Sequence, residues 1–140
     1  MYLLDTVHMS LLDRGGAEGA RLRDRLRSAP PDDVATTIVS YEEQMRGWIS
    51  RLARAADATG QVADYAQLRR HLRNYCGIPV VEFDAAAAAT LARLRTAGIR
   101  IGTMDLKIAA IALTAGATLL TRNLTDFGRV PDLDAEDWSL

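Results

Sequence analysis

The chain has one cysteine, one lysine, few aromatic residues and almost no net charge. With Cys76 alone, an internal disulfide framework and any multi-cysteine metal site are excluded. No stretch reaches the ~20 apolar residues of a membrane span. The longest apolar-rich run, Ile108 to Leu120, is shorter than that and contains Gly116. A charge at Asp5 stands where a secretory signal needs an apolar core, so a cytoplasmic protein is the expectation. Seventeen basic and 18 acidic residues give a net charge of -1. That balance provides no uniformly cationic surface for nucleic acid, although a local patch remains compatible with it. Lys107 is the lone lysine and the other basic residues are arginine. Genome composition accounts for most such skews, and arginine also suits bidentate phosphate contacts.

What is present is ordinary for a globular domain. The 140 residues are 49% hydrophobic and 25% charged, which predicts one domain over residues 1–140 with a core that needs no staples. Tyr2-Leu3-Leu4 reads as a buried strand ending at Asp5. Short helices are expected over His8–Leu12 and Ala17–Ser28, and Pro30-Pro31 breaks the second. Val34–Val39 is β-branched and reads as a second strand. Helices then follow over Ser40–Ala55 and from Asp57 to about Asn74, with a strand over Ile78–Phe83. Asp84 caps a helix through the alanine run to Ala97, and another runs from Gly102 to Thr114. Ala117–Leu120 is a fourth strand, Arg122–Val130 a loop, and Asp137–Ser139 a short edge strand. Strands alternating with helices predict a mostly parallel sheet covered on both faces. Ligands of such sheets bind beyond the carboxyl ends of the strands.

Acidic residues gather at that predicted edge. Asp5 follows the first strand, and Glu42 and Glu43 lie in the first turn of the helix after the second. Asp105 opens the helix before the fourth strand, and Asn123 and Asp126 follow that strand. Carboxylates without histidine or cysteine partners suit a hard cation such as Mg²⁺ or Mn²⁺. Each also has a structural reading. Ser40 and Glu43 fit a capping box, Asp5 can cap the helix after it, Asp105 suits a positive helix end, and Asp126 suits a turn. The neighbouring His8 reads as a surface or packing side chain.

The surrounding residues carry a resemblance. Tyr-Leu-Leu-Asp-Thr at the start, Glu43 four residues before Gly47, Gly102-Thr103-Met104-Asp105 and Thr121-Arg122-Asn123-Leu124-Thr125-Asp126-Phe127 stand in order. Together they resemble the motifs of the PIN-domain ribonucleases, specifically the VapC toxins of type II toxin–antitoxin pairs. The resemblance implies a three-layer α/β/α domain around a central, mostly parallel five-stranded sheet. It implies endonucleolytic RNA cleavage with Mg²⁺ or Mn²⁺, leaving a 5′-phosphate and a 3′-hydroxyl. Asp5, Glu43 and Asp105 are the implied core carboxylates, with Asn123 at the fourth position and Asp126 nearby as a further ligand. Spacing to Gly47 favours Glu43 over Glu42, which lies about 100° round the helix.

One position departs from the pattern. Relatives carry Asn or Asp two residues after the first acid, where Val7 stands here. An attenuated or inactive PIN-like interaction module is therefore the alternative. The resemblance further implies a homodimer and a VapB-type antitoxin. The antitoxin would enter an apolar groove near the helices from Leu11 to Leu26 and Tyr41 to Leu52. Arg46, Arg122, Arg69, Arg70 and Arg73 are the candidate contacts to tRNA or rRNA, which would make binding salt-dependent. A receiver domain is disfavoured because no lysine follows a late strand, and Val7 removes the second aspartate of a haloacid-dehalogenase-type phosphatase.

Overall fold

In a computed structural model describing residues 1–140, short apolar runs build the centre of the molecule. β1 (Tyr2–Leu4) lies mid-sheet, paired with β2 (Val34–Thr37) on one side and β4 (Thr118–Leu120) on the other. β3 (Val80–Val81) and β5 (Ala135–Glu136) form the edges, giving the order β3-β2-β1-β4-β5 with every pair parallel. Side chains alternate across a strand. Accordingly Leu3 and Leu119 enter one core while Leu4 and Leu120 enter the other.

The first core is covered by α5 (Ala85–Thr96), α6 (Thr103–Ala115) and Phe127 of α7 (Leu124–Phe127). The second is covered by α1 (Thr6–Arg14), α2 (Gly16–Arg27) and Tyr75 of α4 (Ala58–Cys76), with Trp138. Val39 of α3 (Ile38–Arg54) joins the first core. Leu106, Ile108, Ala109, Ala110, Ile111 and Ala112 are all buried, so α6 is apolar nearly all round, as a central helix must be. The three-layer α/β/α expectation holds, with a sheet that is wholly parallel. No helix is long and apolar enough to cross a membrane.

Several boundaries differ from the sequence reading. The second strand ends at Thr37, and α3 starts at Ile38, within the β-branched run. Thr37 is the N-cap, its Oγ1 accepting the Ser40 N–H at 3.0 Å. Ser40 is therefore inside the helix, no Ser40–Glu43 capping box forms, and Glu43 lies in the second turn. β3 shrinks to two residues because Pro79 has no N–H to donate. Its carbonyl still accepts the Thr36 N–H at 3.0 Å. The last strand is Ala135–Glu136, earlier than expected. Trp138 instead folds into the core against Tyr2, ring centroids 4.6 Å apart. Within the expected loop, Leu124–Phe127 forms a helical turn capped by Asn123.

The approach of α2 to α1 depends on Gly19. A Cβ there would collide with the Leu11 carbonyl oxygen, a backbone atom unable to rotate away. Gly19→Ala is expected to destabilise the protein by about 1–3 kcal/mol through overpacking. Urea denaturation measures this, and an unchanged midpoint would contradict the close crossing.

Candidate active site

A parallel sheet sends all its carboxyl ends to one edge, and five of the six sequence-predicted acidic and amide groups meet around that edge, Glu42 being the exception. Asp5 leaves β1 with its N–H donated to the Leu120 carbonyl at 3.0 Å, so the central strands hold its backbone. It caps α1, its Oδ1 accepting the His8 N–H at 2.8 Å. The capping role and a place at the edge are thus compatible. Both contacts to Asp5 fall on Oδ1, and Oδ2 makes no hydrogen bond. The carboxylate is only 5% exposed, which limits access to a small approaching group.

Glu43 is turned toward α1, where Thr6 Oγ1 donates to its Oε1 at 2.7 Å. Glu42 faces outward to Arg46 at 2.5 Å. Gln44 also reaches α1, donating to Ser10 Oγ at 2.7 Å, so α3 and α1 are stitched beside the acids. Asp105 lies in the first turn of α6. Burial, then the charges of Glu43, Asp5 and Asp126, push it up to about 6, against a smaller opposing hydrogen bond from Asn123. The Asn123 amide is 3.0 Å from Asp126 Oδ2 and 3.5 Å from Asp105 Oδ2. Asp126 also lies 3.7 Å from Arg129.

These carboxylates influence one another without closing into a cage. No three His, Cys, Asp or Glu side chains stand close enough to hold an ion as a ready-made cluster. The donor set nevertheless suits Mg²⁺ or Mn²⁺. All donors are hard oxygens, and Mg²⁺ keeps several waters while using only one or two protein carboxylates. Asp105 is raised by burial first and then by the negative charge gathered around it, the part that a divalent cation would relieve.

Sequence reasoning missed Thr6 as the anchor of Glu43, although its place beside Asp5 was a signal. Of the surface and packing readings of His8, packing is the one observed: the side chain is fully buried between Asp5 (3.3 Å) and Asp137 (3.5 Å). Val7 is 46% exposed beside these groups and offers no polar atom.

The candidate RNA contacts divide by their partners. Arg46 pairs with Glu42, Arg70 with Asp13 and Arg122 with Glu18, the last at 3.1 Å. Arg69 and Arg73 are exposed on α4 and make no ion pair. The expected apolar groove resolves into two cavities. One of about 750 Å³ between α1, α3 and α4 is lined by Arg14, Arg51, Arg54 and Arg70 together with Asp13 and Asp64, so it is charged and polar more than apolar. At its wall His71 and Tyr75 are buried with Nε2 and hydroxyl unpartnered. Burial lowers His71 against the opposing pull of Asp13, and raises Tyr75 with help from Glu43 and Asp5. The other cavity, of about 400 Å³, is of mixed character, with Met9, Leu12, Leu26, Val34 and Ile78 on one part of its wall and Asp13, Arg70 and Asn74 on the rest.

Known proteins resemble this chain in sequence and in fold. The chain is 37% identical over 65 residues to ribonuclease VapC2 of Rickettsia felis, covering 44% of this chain and 48% of that one. It is 38% identical over 66 residues to the tRNA(fMet)-specific endonuclease VapC of Shigella flexneri, covering 44% and 50%. The matched segment thus spans about half the length of these curated relatives. Among solved structures, VapBC-1 from nontypeable Haemophilus influenzae superposes with a TM-score of 0.76 at 22% identity, over 99% of this chain and 98% of that one. FitAcB from Neisseria gonorrhoeae gives 0.72 at 25% identity, over 99% and 98%. The model of the PIN domain matches residues 2–133, and the chain belongs to the PIN-domain family.

Proposed function

We propose that this PIN domain, residues 1–140, is a Mg²⁺- or Mn²⁺-dependent endoribonuclease, the toxin of a type II toxin–antitoxin pair acting in the cytoplasm. The observation that carries the reading is the acid cluster at the carboxyl edge, with Asp105 raised by burial and by the charges of Glu43, Asp5 and Asp126. The names of the relatives, a ribonuclease and a tRNA-specific endonuclease, support RNA as the substrate. A divalent ion bound there supplies water of lowered pKa and neutralises phosphate charge. Asp5 contributes its unengaged Oδ2, and Asp105 contributes a carboxylate at the start of α6. Glu43 is kept in one orientation by Thr6. Asn123 and Asp126, linked to each other, complete the polar wall. Arg69 and Arg73 are free to contact RNA phosphates, whereas Arg46, Arg70 and Arg122 must first leave a carboxylate. The partners are a second copy of this chain and a VapB-type antitoxin, whose apolar segment fits the cavity beside Leu12 and Leu26.

The experiment is RNA cleavage by purified protein with and without chelator. Cleavage is expected to stop with EDTA and to return with excess Mn²⁺ or Mg²⁺. Cleavage undiminished in EDTA contradicts the metal assignment. No cleavage at any metal concentration, with antitoxin binding intact, favours the interaction module that Val7 suggests.

A further inference from the structure

The proposed chemistry leaves His8 unexplained. It lies in the first turn of α1 and is fully buried, where polar atoms require partners. The two carboxylates facing it come from opposite ends of the chain. Nδ1 is 3.3 Å from Asp5 Oδ1, whereas Nε2 makes no hydrogen bond and faces Asp137 Oδ1 at 3.5 Å, an ion-pair distance.

Asp137 is itself firmly held. Its Oδ1 accepts from the Ser139 N–H at 2.8 Å and from Ser139 Oγ at 2.6 Å. Burial alone would raise Asp137, but these bonds and the charges of His8 and Arg122 outweigh it and lower the carboxyl. Ser139 is buried, and its carbonyl accepts from Arg21 Nε at 2.8 Å. The Asp137 carbonyl accepts from Arg25 at 3.1 Å, and the Arg25 guanidinium also lies 5.3 Å over the Trp138 ring. The Glu136 carbonyl accepts the Thr121 N–H at 2.9 Å. Residues 136–139 are therefore clamped to β4 and α2.

We propose that His8 is a positioning residue that couples this docked tail to Asp5, so that Asp137 influences how tightly a divalent cation is held at Asp5. The inference rests on the reading of the acid cluster as a metal site. His8 approaches Asp5 only at Oδ1, which restrains the carboxylate and leaves Oδ2 as the donor. Partners one step behind a metal ligand commonly contribute about 10–100-fold in metal affinity. The tail residues thereby acquire a role beyond packing, although they lie outside the acid motifs.

The test is Mn²⁺ affinity by isothermal titration calorimetry, together with thermal unfolding of the metal-free proteins. Wild type, Asp137→Asn, His8→Asn, the double variant and Asp105→Asn are compared. Asp137→Asn keeps an oxygen for Ser139 and is expected to fold, yet to bind Mn²⁺ about tenfold more weakly. In the His8→Asn background, Asp137→Asn should add nothing further, because the route from Asp137 to Asp5 runs through the imidazole. Cleavage should recover at saturating Mn²⁺ in Asp137→Asn, with KM for RNA unchanged. Wild-type Mn²⁺ affinity in Asp137→Asn, or additive losses in the double variant, would overturn the coupling while Asp105→Asn still reports the metal site. Should His8→Asn fail to fold, the affinity of Asp137→Asn alone decides. Wild type that binds no Mn²⁺ overturns the metal reading and the coupling with it.

Discussion

Replacing Asp105 by asparagine is expected to lower RNA cleavage by about 10²–10³-fold, the usual consequence of removing one preorganised electrostatic group from a phosphoryl-transfer site. The same substitution is expected to raise stability. Asp105 is held at about 6, above its ordinary value, by burial and by Glu43, Asp5 and Asp126. The folded state therefore binds more protons than the unfolded chain between about pH 4 and pH 6, and stability falls as pH rises through that window. Asparagine carries no charge, so the variant should melt roughly 2–4 °C higher at pH 7 without divalent metal. The gain should shrink to a fraction near pH 4, where the wild-type carboxyl is protonated in the folded state and about half protonated in the unfolded chain. Melting curves at both pH values and single-turnover cleavage measure the two halves. A variant that cuts RNA at the wild-type rate would remove Asp105 from the reaction. One that melts lower at pH 7 would contradict the crowding of charge.

Phe127→Ala should cost about 3–5 kcal/mol, the range for truncating a buried aromatic residue. Phe127 is 1% exposed and packs with the α5 and α6 core. It also ends α7, a helix of four residues. So short a helix has no stability of its own, and Phe127 fastens it to the body. Asn123 and Asp126 are carried on that turn. With a slope of about 2 kcal/mol/M, the urea midpoint should fall by roughly 2 M. Cleavage measured well below the unfolding temperature should also fall, because the loosened turn no longer presents Asn123 and Asp126 together. Leu124→Ala is the control, since Leu124 is 43% exposed and its loss should leave the midpoint nearly unchanged. Equal effects of the two substitutions would contradict the anchoring role.

The element types and their order were legible because each rests on local physics. Apolar strand runs, glycine and proline breaks, and the caps at Asp5 and Asp84 are written in neighbouring residues. Alternating strands and helices imply a parallel sheet, and a parallel sheet implies one ligand edge. The association of Asp5, Glu43, Asp105, Asn123 and Asp126 with that edge therefore followed before any coordinates. The boundary near Thr37 was not legible, since a β-branched run suits a strand and Thr37 is equally a good cap.

Relations between distant segments needed the tertiary structure. Spacing to Gly47 favoured Glu43 over Glu42, but only the structure shows Thr6 on α1 holding Glu43 inward while Glu42 faces Arg46. The arginines of α2 alternate with no apparent purpose until the tail arrives, when Arg21 and Arg25 become its clamps. His8 has no partner nearby in sequence to foretell its contact with Asp137. By itself, then, the sequence determined the elements, the parallel sheet and the edge where the acids gather, because short-range patterning controls these. Only the tertiary structure decided what holds Glu43 inward and which groups stand behind Asp5. Those depend on side chains distant along the chain, Thr6 with Glu43 and His8 with Asp137, meeting in space.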